Sequence, residues 1–225
     1  LVERDNFLGG AAASTTIPSK TLRETSLALS GIRARRLYGV DLSLKRRATV
    51  QDFLHHERVV KDAERARVVS NMQRHNIDIF TGAGSFVDKL TIKVEKPDQT
   101  TKFLKGNIIL ISTGSSPRRS DNFPRSEQIY DSDTILQIKR IPTSMVVIGG
   151  GVIGCEYACL FRALGVNVSL IHNKDIFLPF LDHDISVTLE KSMSKMGIKL
   201  YKPEKVETCS LKDDTVEIKL DSGKV

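Results

Sequence analysis

Met145-Val146-Val147-Ile148 runs without interruption into Gly149-Gly150-Gly151-Val152-Ile153-Gly154, and from there into Cys155-Glu156-Tyr157-Ala158. The apolar residues before the glycines have the character of a strand, and those after them recur at helical spacing. Gly149, Gly151 and Gly154 therefore form a GxGxxG motif at a strand-to-helix junction, the context in which the motif binds dinucleotides. The first glycine permits the tight turn, the second lets the backbone approach a pyrophosphate, and the third allows helix and strand to pack closely. The helix start adds free N–H groups and the positive end of a dipole. A helix over Cys155 to Leu164 and a second strand over Val166 to Ile171 complete the unit. Its second strand would ordinarily end in an acid bonding the adenosine ribose. His172, Asn173 and Lys174 stand there instead. With no acid to repel a 2′-phosphate, His172 and Lys174 are expected to admit NADP as well as NAD.

Outward from this unit the chain reads as α/β. Val2 and Glu3 end a strand that leads to a loop with Gly9 and Gly10. Pro18 opens a helix, as proline suits a first helical turn. Thr49-x-x-Asp52 resembles a capping box and starts a helix to about Asn76, with Val50, Phe53, Leu54, Val60, Ala63 and Val69 at helical spacing. Strands are predicted over Ile77 to Phe80, Ser85 to Val87, Leu90 to Val94, around Phe103, and over Asn107 to Ile111, with Lys96-Pro97-Asp98 as a hairpin tip. Downstream, a helix carrying Ile185, Leu189, Met193 and Met196 closes at Gly197, and Thr215 to Leu220 is a further strand.

Composition narrows the function classes. Of 225 residues, 40% are hydrophobic and 27% charged, the balance of a globular protein. No apolar run reaches the roughly 18 residues of a membrane span, and the acidic start is unlike a signal peptide, so no membrane association and a cytoplasmic location are expected. The net charge of +7 gathers at Arg33/Arg35/Arg36, Lys45/Arg46/Arg47 and Arg65/Arg67. The acids are interspersed and few aromatics lie near these runs, so no nucleic-acid partner is expected. Attraction of anionic cofactors by the overall field is the better reading. Three cysteines, at 155, 159 and 209, form no disulfide framework, and no metal-ligand pattern accompanies His55 and His56.

Val2-Glu3-Arg4, Gly9-Gly10, Thr16-Ile17-Pro18-Ser19-Lys20-Thr21-Leu22-Arg23, Ser112-Thr113-Gly114, Ile129-Tyr130-Asp131-Ser132-Asp133 and the fingerprint helix occur in the order found in the flavoprotein disulfide reductases. The chain resembles that family along its whole length, and its detail is nearest to the family's soluble NAD(P) transhydrogenases. The resemblance implies doubly wound, Rossmann-type domains for FAD and for NAD(P), both incomplete: residues 1–141 for FAD, without the first GxGxxG and the returning segment, and 142–225 for the nicotinamide nucleotide. It implies that Glu3 holds the FAD ribose, that Gly9 and Gly10 lie near the flavin diphosphate, and that Thr113 and Gly114 border the FAD site. Lys20 would sit by the flavin N5 and Glu156 by the nicotinamide, as the catalytic pair. It implies FAD, NAD and NADP as cofactors and substrates, and a homodimer or higher oligomer for the longer protein.

Disulfide reductases of this family carry Cys-x4-Cys immediately before Ile-Pro-Ser-Lys, because one thiol exchanges with substrate while the other attacks the flavin. Here those positions are Ala11 and Thr16. Flavin with nicotinamide but without thiols implies hydride transfer between NADPH and NAD. Three alternatives stand beside it: another FAD-dependent NAD(P)H reductase or oxidase, an inactive remnant serving as a binding module, and a nucleic-acid binder. Cys155 and Cys159 share a helix face, where packing is their expected role.

Overall fold

The computed structural model describes residues 1–5, 7–10, 16–34, 49–118, 122–213 and 215–224, with side chains of the helical residues 30–34 left aside. Ala11 to Thr15, Arg35, Arg36 and Lys45 to Arg47 lie outside the described residues, as does the side chain of Arg33. The chain forms two compact units, one of Leu1–Ser19 with Glu57–Ser116, the other of Lys20–His56 with Pro117–Val225.

In the first unit, β1 (Val2–Glu3) pairs in parallel with β2 (Phe80–Thr81). β3 (Ala83–Asp88), β4 (Thr91–Glu95) and β5 (Thr101–Lys105) form an antiparallel sheet in that order. The β4–β5 hairpin turns at Lys96 to Gln99, where the Lys96 N–H donates to the Thr100 carbonyl at 2.9 Å, as the Lys-Pro-Asp tip predicts. Val94 is fully buried beneath this sheet. Gly82 is needed there, since a Cβ would lie 2.6 Å from the Glu95 carbonyl oxygen. The expected strand at Asn107 to Ile111 is not formed. Ile108, Leu110 and Ile111 are 90%, 86% and 67% exposed. A strand is made by its neighbours' hydrogen bonds, and none of the described strands flanks this run.

The second unit carries the dinucleotide motif. β6 (Ser144–Ile148), β7 (Asn167–Ile171) and β8 (Lys199–Tyr201) make a parallel sheet in the order β6-β7-β8. The chain crosses from β6 to β7 through a helix over Val152–Ala163 and from β7 to β8 through one over His183–Lys195. Two earlier helices precede these: α1 is Ile17–Ala34 and α2 is Val50–Arg74, so the crossover helices are α3 and α4. β9 (Val206–Lys212) and β10 (Thr215–Leu220) form an antiparallel hairpin. β8 and β9 are absent from the sequence-level expectation. One is only three residues long and the other mostly polar, so neither shows an apolar run.

The core of this unit joins Leu22 of α1, Val50, Phe53 and Leu54 of α2, Ile135 and Leu136, and the inward faces of α3 and β7. Phe53 and Phe161 meet at 6.1 Å between ring centroids, tilted by 59°. The capping box is real: the Thr49 N–H donates to Asp52 Oδ2 at 2.8 Å, and the Asp52 N–H to Thr49 Oγ1 at 3.2 Å. Burial along α2 stops early, however, with Val59 and Val69 exposed. Arg162 fastens the far ends of the two crossover helices. Its Nε donates to the Met196 carbonyl at 2.7 Å and its Nη1 to the Val166 carbonyl at 3.2 Å.

Candidate functional site

Gly149 and Gly154 of the fingerprint are each required by the fold, whereas Gly151 is not. Gly149 sits at φ +105°, a conformation that a side chain resists. Its N–H donates to the Ile171 carbonyl at 2.9 Å, tying the turn to the end of β7. A Cβ on Gly154 would fall 1.9 Å from the Gly149 carbonyl oxygen, so helix and turn touch backbone to backbone. A Cβ on Gly151 would meet nothing within 4 Å. Gly151 is also the N-cap of α3, with extended backbone at φ −81°, so any residue fits the fold there. The space above Gly151 and the free N–H groups of the first helical turn fit a nucleotide pyrophosphate.

Gly150, which the motif leaves unspecified, is sterically constrained as Gly154 is. A Cβ there would lie 2.3 Å from Phe177 Cδ1 and 2.8 Å from His172 Cγ. The Gly150 N–H donates to His172 Nδ1 at 3.2 Å. His172 is 9% exposed and stacks on Phe177 with ring centroids 5.3 Å apart and planes 17° apart. The sequence signal for this packing is the third consecutive glycine, which GxGxxG alone does not require.

These surroundings act on the charge of His172. Burial holds its pKa below the ordinary histidine value against an upward pull from the Ile176 backbone, the next largest effect, and Lys174 and Lys202 push it further down. The neutral ring is favoured. Lys174, two residues on, is exposed.

At the start of the second turn of α3, Glu156 Oε1 accepts from Lys20 Nζ at 2.5 Å. The lysine side chain is 58% exposed and that of the glutamate 19%, so the pair faces solvent on one side. The two residues read as a catalytic pair are thus in contact although 136 residues apart. The residues assigned to FAD lie in the other unit. Glu3 ends β1 and accepts the Asp5 N–H through Oε1 at 3.0 Å. Gly9 and Gly10 are exposed at φ +105° and +49°. Thr113 and Gly114 are exposed, the latter at φ +72°.

Thr16 lies exposed at the start of α1, its carbonyl accepting from Ser19 Oγ at 3.0 Å. Cys155, Cys159 and Cys209 are all free thiols. Burial, with a smaller push from Cys159, raises Cys155 to about 11. Burial also raises Cys159, reinforced by the charge of Glu156, and raises Cys209. Among the described residues no helix is long and apolar enough to cross a membrane, and no group of three His, Cys, Asp or Glu residues could hold a metal. Arg65 stacks over Phe7 at 4.2 Å and Arg67 pairs with Glu64 at 2.6 Å, so this part of the basic surface engages its own chain.

The family model described as pyridine nucleotide-disulphide oxidoreductase matches residues 7–225. The chain belongs to that family. Its α/β architecture is the family's FAD- and NAD-binding fold. The soluble pyridine nucleotide transhydrogenases of Mycobacterium bovis, Yersinia pestis and Colwellia psychrerythraea are 38%, 37% and 34% identical over all of this chain. The chain spans about half the length of these curated relatives, 48% in each case. Among solved structures, LpdA of Mycobacterium tuberculosis superposes with a TM-score of 0.88 at 22% identity, over 99% of this chain and 49% of that one. The HOCl-induced flavoprotein disulfide reductase RclA of Escherichia coli does so at 0.81 and 23%, over 98% and 47%.

Proposed function

We propose that this chain forms part of an FAD-dependent transhydrogenase that moves hydride between NADPH and NAD without a redox disulfide. The observation that carries this reading is the Lys20–Glu156 pair at 2.5 Å, beside the fingerprint helix. The transhydrogenase names of the curated relatives support it, as do Ala11 and Thr16 at the two thiol positions. Residues 1–141 would serve FAD and residues 142–225 the nicotinamide nucleotide. Bound FAD would supply a two-electron carrier able to take hydride from one nucleotide and return it to the other. Lys20 presents an ammonium to the flavin side, and Glu156 orients the nicotinamide ring. Gly149, Gly151 and Gly154 receive the pyrophosphate at the start of α3. Lys174 meets the 2′-phosphate of NADP, with His172 beside it at the end of β7.

The test is an assay of the full-length protein with FAD, NADPH as donor, and either thio-NAD or oxidised lipoamide as acceptor. Reduction of thio-NAD, lost by about tenfold or more in Lys20→Met, is expected; that factor is about 1.4 kcal/mol of transition-state stabilisation. Turnover of lipoamide with none of thio-NAD would overturn the reading.

A further inference from the structure

The His172 ring is placed against the dinucleotide turn in a way that the charge balance of the site does not require. Nδ1 is the acceptor for the Gly150 N–H at 3.2 Å, so it carries no proton in this arrangement. In neutral imidazole the proton is then on Nε2. That atom is buried and makes no hydrogen bond among the described residues. One face of the ring is covered by Phe177, and the backbone of His172 is fixed on both sides. Its N–H donates to the Tyr201 carbonyl at 2.9 Å, and its carbonyl accepts the Glu204 N–H at 2.9 Å. The ring has little freedom to withdraw from Gly150.

We infer that His172 is a positioning residue whose neutral ring fastens the Gly149–Gly151 turn through the Gly150 N–H, making nucleotide binding at that turn fail in acid. This inference rests on the nicotinamide-nucleotide reading above. A proton added at Nδ1 sets two N–H groups against each other where one hydrogen bond had been. Among the described residues, no carboxylate acts on the buried ring to offset the charge. Of the groups around it, Lys174 follows two residues on in the segment after β7, and Lys202 enters from the end of β8. Lys202 is held by the Asp175 carbonyl at 2.5 Å and by Glu190 of α4 at 2.6 Å. The Glu204 carboxylate is engaged by Lys224 at 2.8 Å. The Ile176 backbone favours the proton, but burial and the two lysines outweigh it. A histidine whose pKa is lowered by folding stabilises the turn above the ordinary value of about 6.5 and withdraws that support as pH falls below it.

Two measurements on the full-length protein test this, with NAD+ as the probe because it carries no phosphate monoester that titrates in the same range. Binding of NAD+ to the wild type is expected to weaken by more than about twofold between pH 7.5 and 5.5, but by less than the roughly tenfold that an imidazole with the ordinary pKa of about 6.5 would give. His172→Asn keeps an acceptor at the same place that takes no proton, so its affinity should change by less than about twofold over that range. His172→Leu should bind weakly at both pH values. Imidazole nitrogen NMR should find Nδ1 bare and Nε2 protonated at pH 7.5. If the wild type binds NAD+ equally at both pH values, if Asn and wild type fall together, or if Nδ1 carries the proton at pH 7.5, the inference is overturned while the nucleotide reading stands. If the wild type binds no NAD+ at any pH, both fall.

Discussion

Gly151 and Gly154 separate two properties that usually move together, ligand affinity and stability. Gly151→Ala adds a methyl group with nothing within 4 Å, at an exposed N-cap whose backbone any residue adopts. Its cost to folding should stay within about 1 kcal/mol. The same methyl group stands where a pyrophosphate would approach, so nucleotide affinity should fall by about tenfold or more, which is about 1.4 kcal/mol. In Gly154→Ala the new Cβ would be 1.9 Å from the Gly149 carbonyl oxygen, and backbone must move to admit it. Overpacking of this kind costs about 1–3 kcal/mol. Thermal melts and NAD+ titration of both variants check the contrast. A destabilised Gly151→Ala with unchanged affinity would place the ligand elsewhere. The Lys20–Glu156 pair behaves in the opposite way to a buried bond. With the Lys20 side chain 58% exposed, the pair's contribution to stability is small.

The elements show which parts of this fold can be read from residues alone. α3 and its flanking strands are legible because three independent requirements coincide there: apolar strand character, glycine spacing and helical periodicity. α2 is legible at its start, where Thr49 and Asp52 cap each other. Its extent to Arg74 is legible too, but the burial of its far half is not, because Val69 keeps helical spacing while facing solvent. Asn107 to Ile111 has strand composition but no described neighbour to pair with, and composition cannot supply one. The site was half legible. Glycines and the pair of charges follow from motif and resemblance, whereas the contact of His172 with Gly150 depends on where Phe177 folds back. At this scale the cap makes the sharpest prediction. Thr49→Ala should destabilise the protein by about 1 kcal/mol, measured by denaturant titration, with Asp52→Ala no less harmful. A neutral outcome for both would mean that burial of Val50, Phe53 and Leu54 alone holds the helix start.

For the molecule as a whole, the three thiols bear on the proposed chemistry together. All are raised by burial, and Cys155, at about 11, would hold roughly a few hundred-fold less thiolate than an ordinary cysteine of pKa about 8.5. Iodoacetamide at pH 8 should therefore leave hydride transfer intact over times that inactivate a dithiol reductase. Rapid loss of activity in a protein that stays folded would show a thiol at work. Arg162 has a consequence of another kind. By gripping the carbonyls of Val166 and Met196, one guanidinium closes the exits of both crossovers, so neither can open without releasing the other. Amide protons at the starts of β7 and β8 should then exchange with deuterium as a single cooperative block. In Arg162→Met that block should split into two, with separate opening rates.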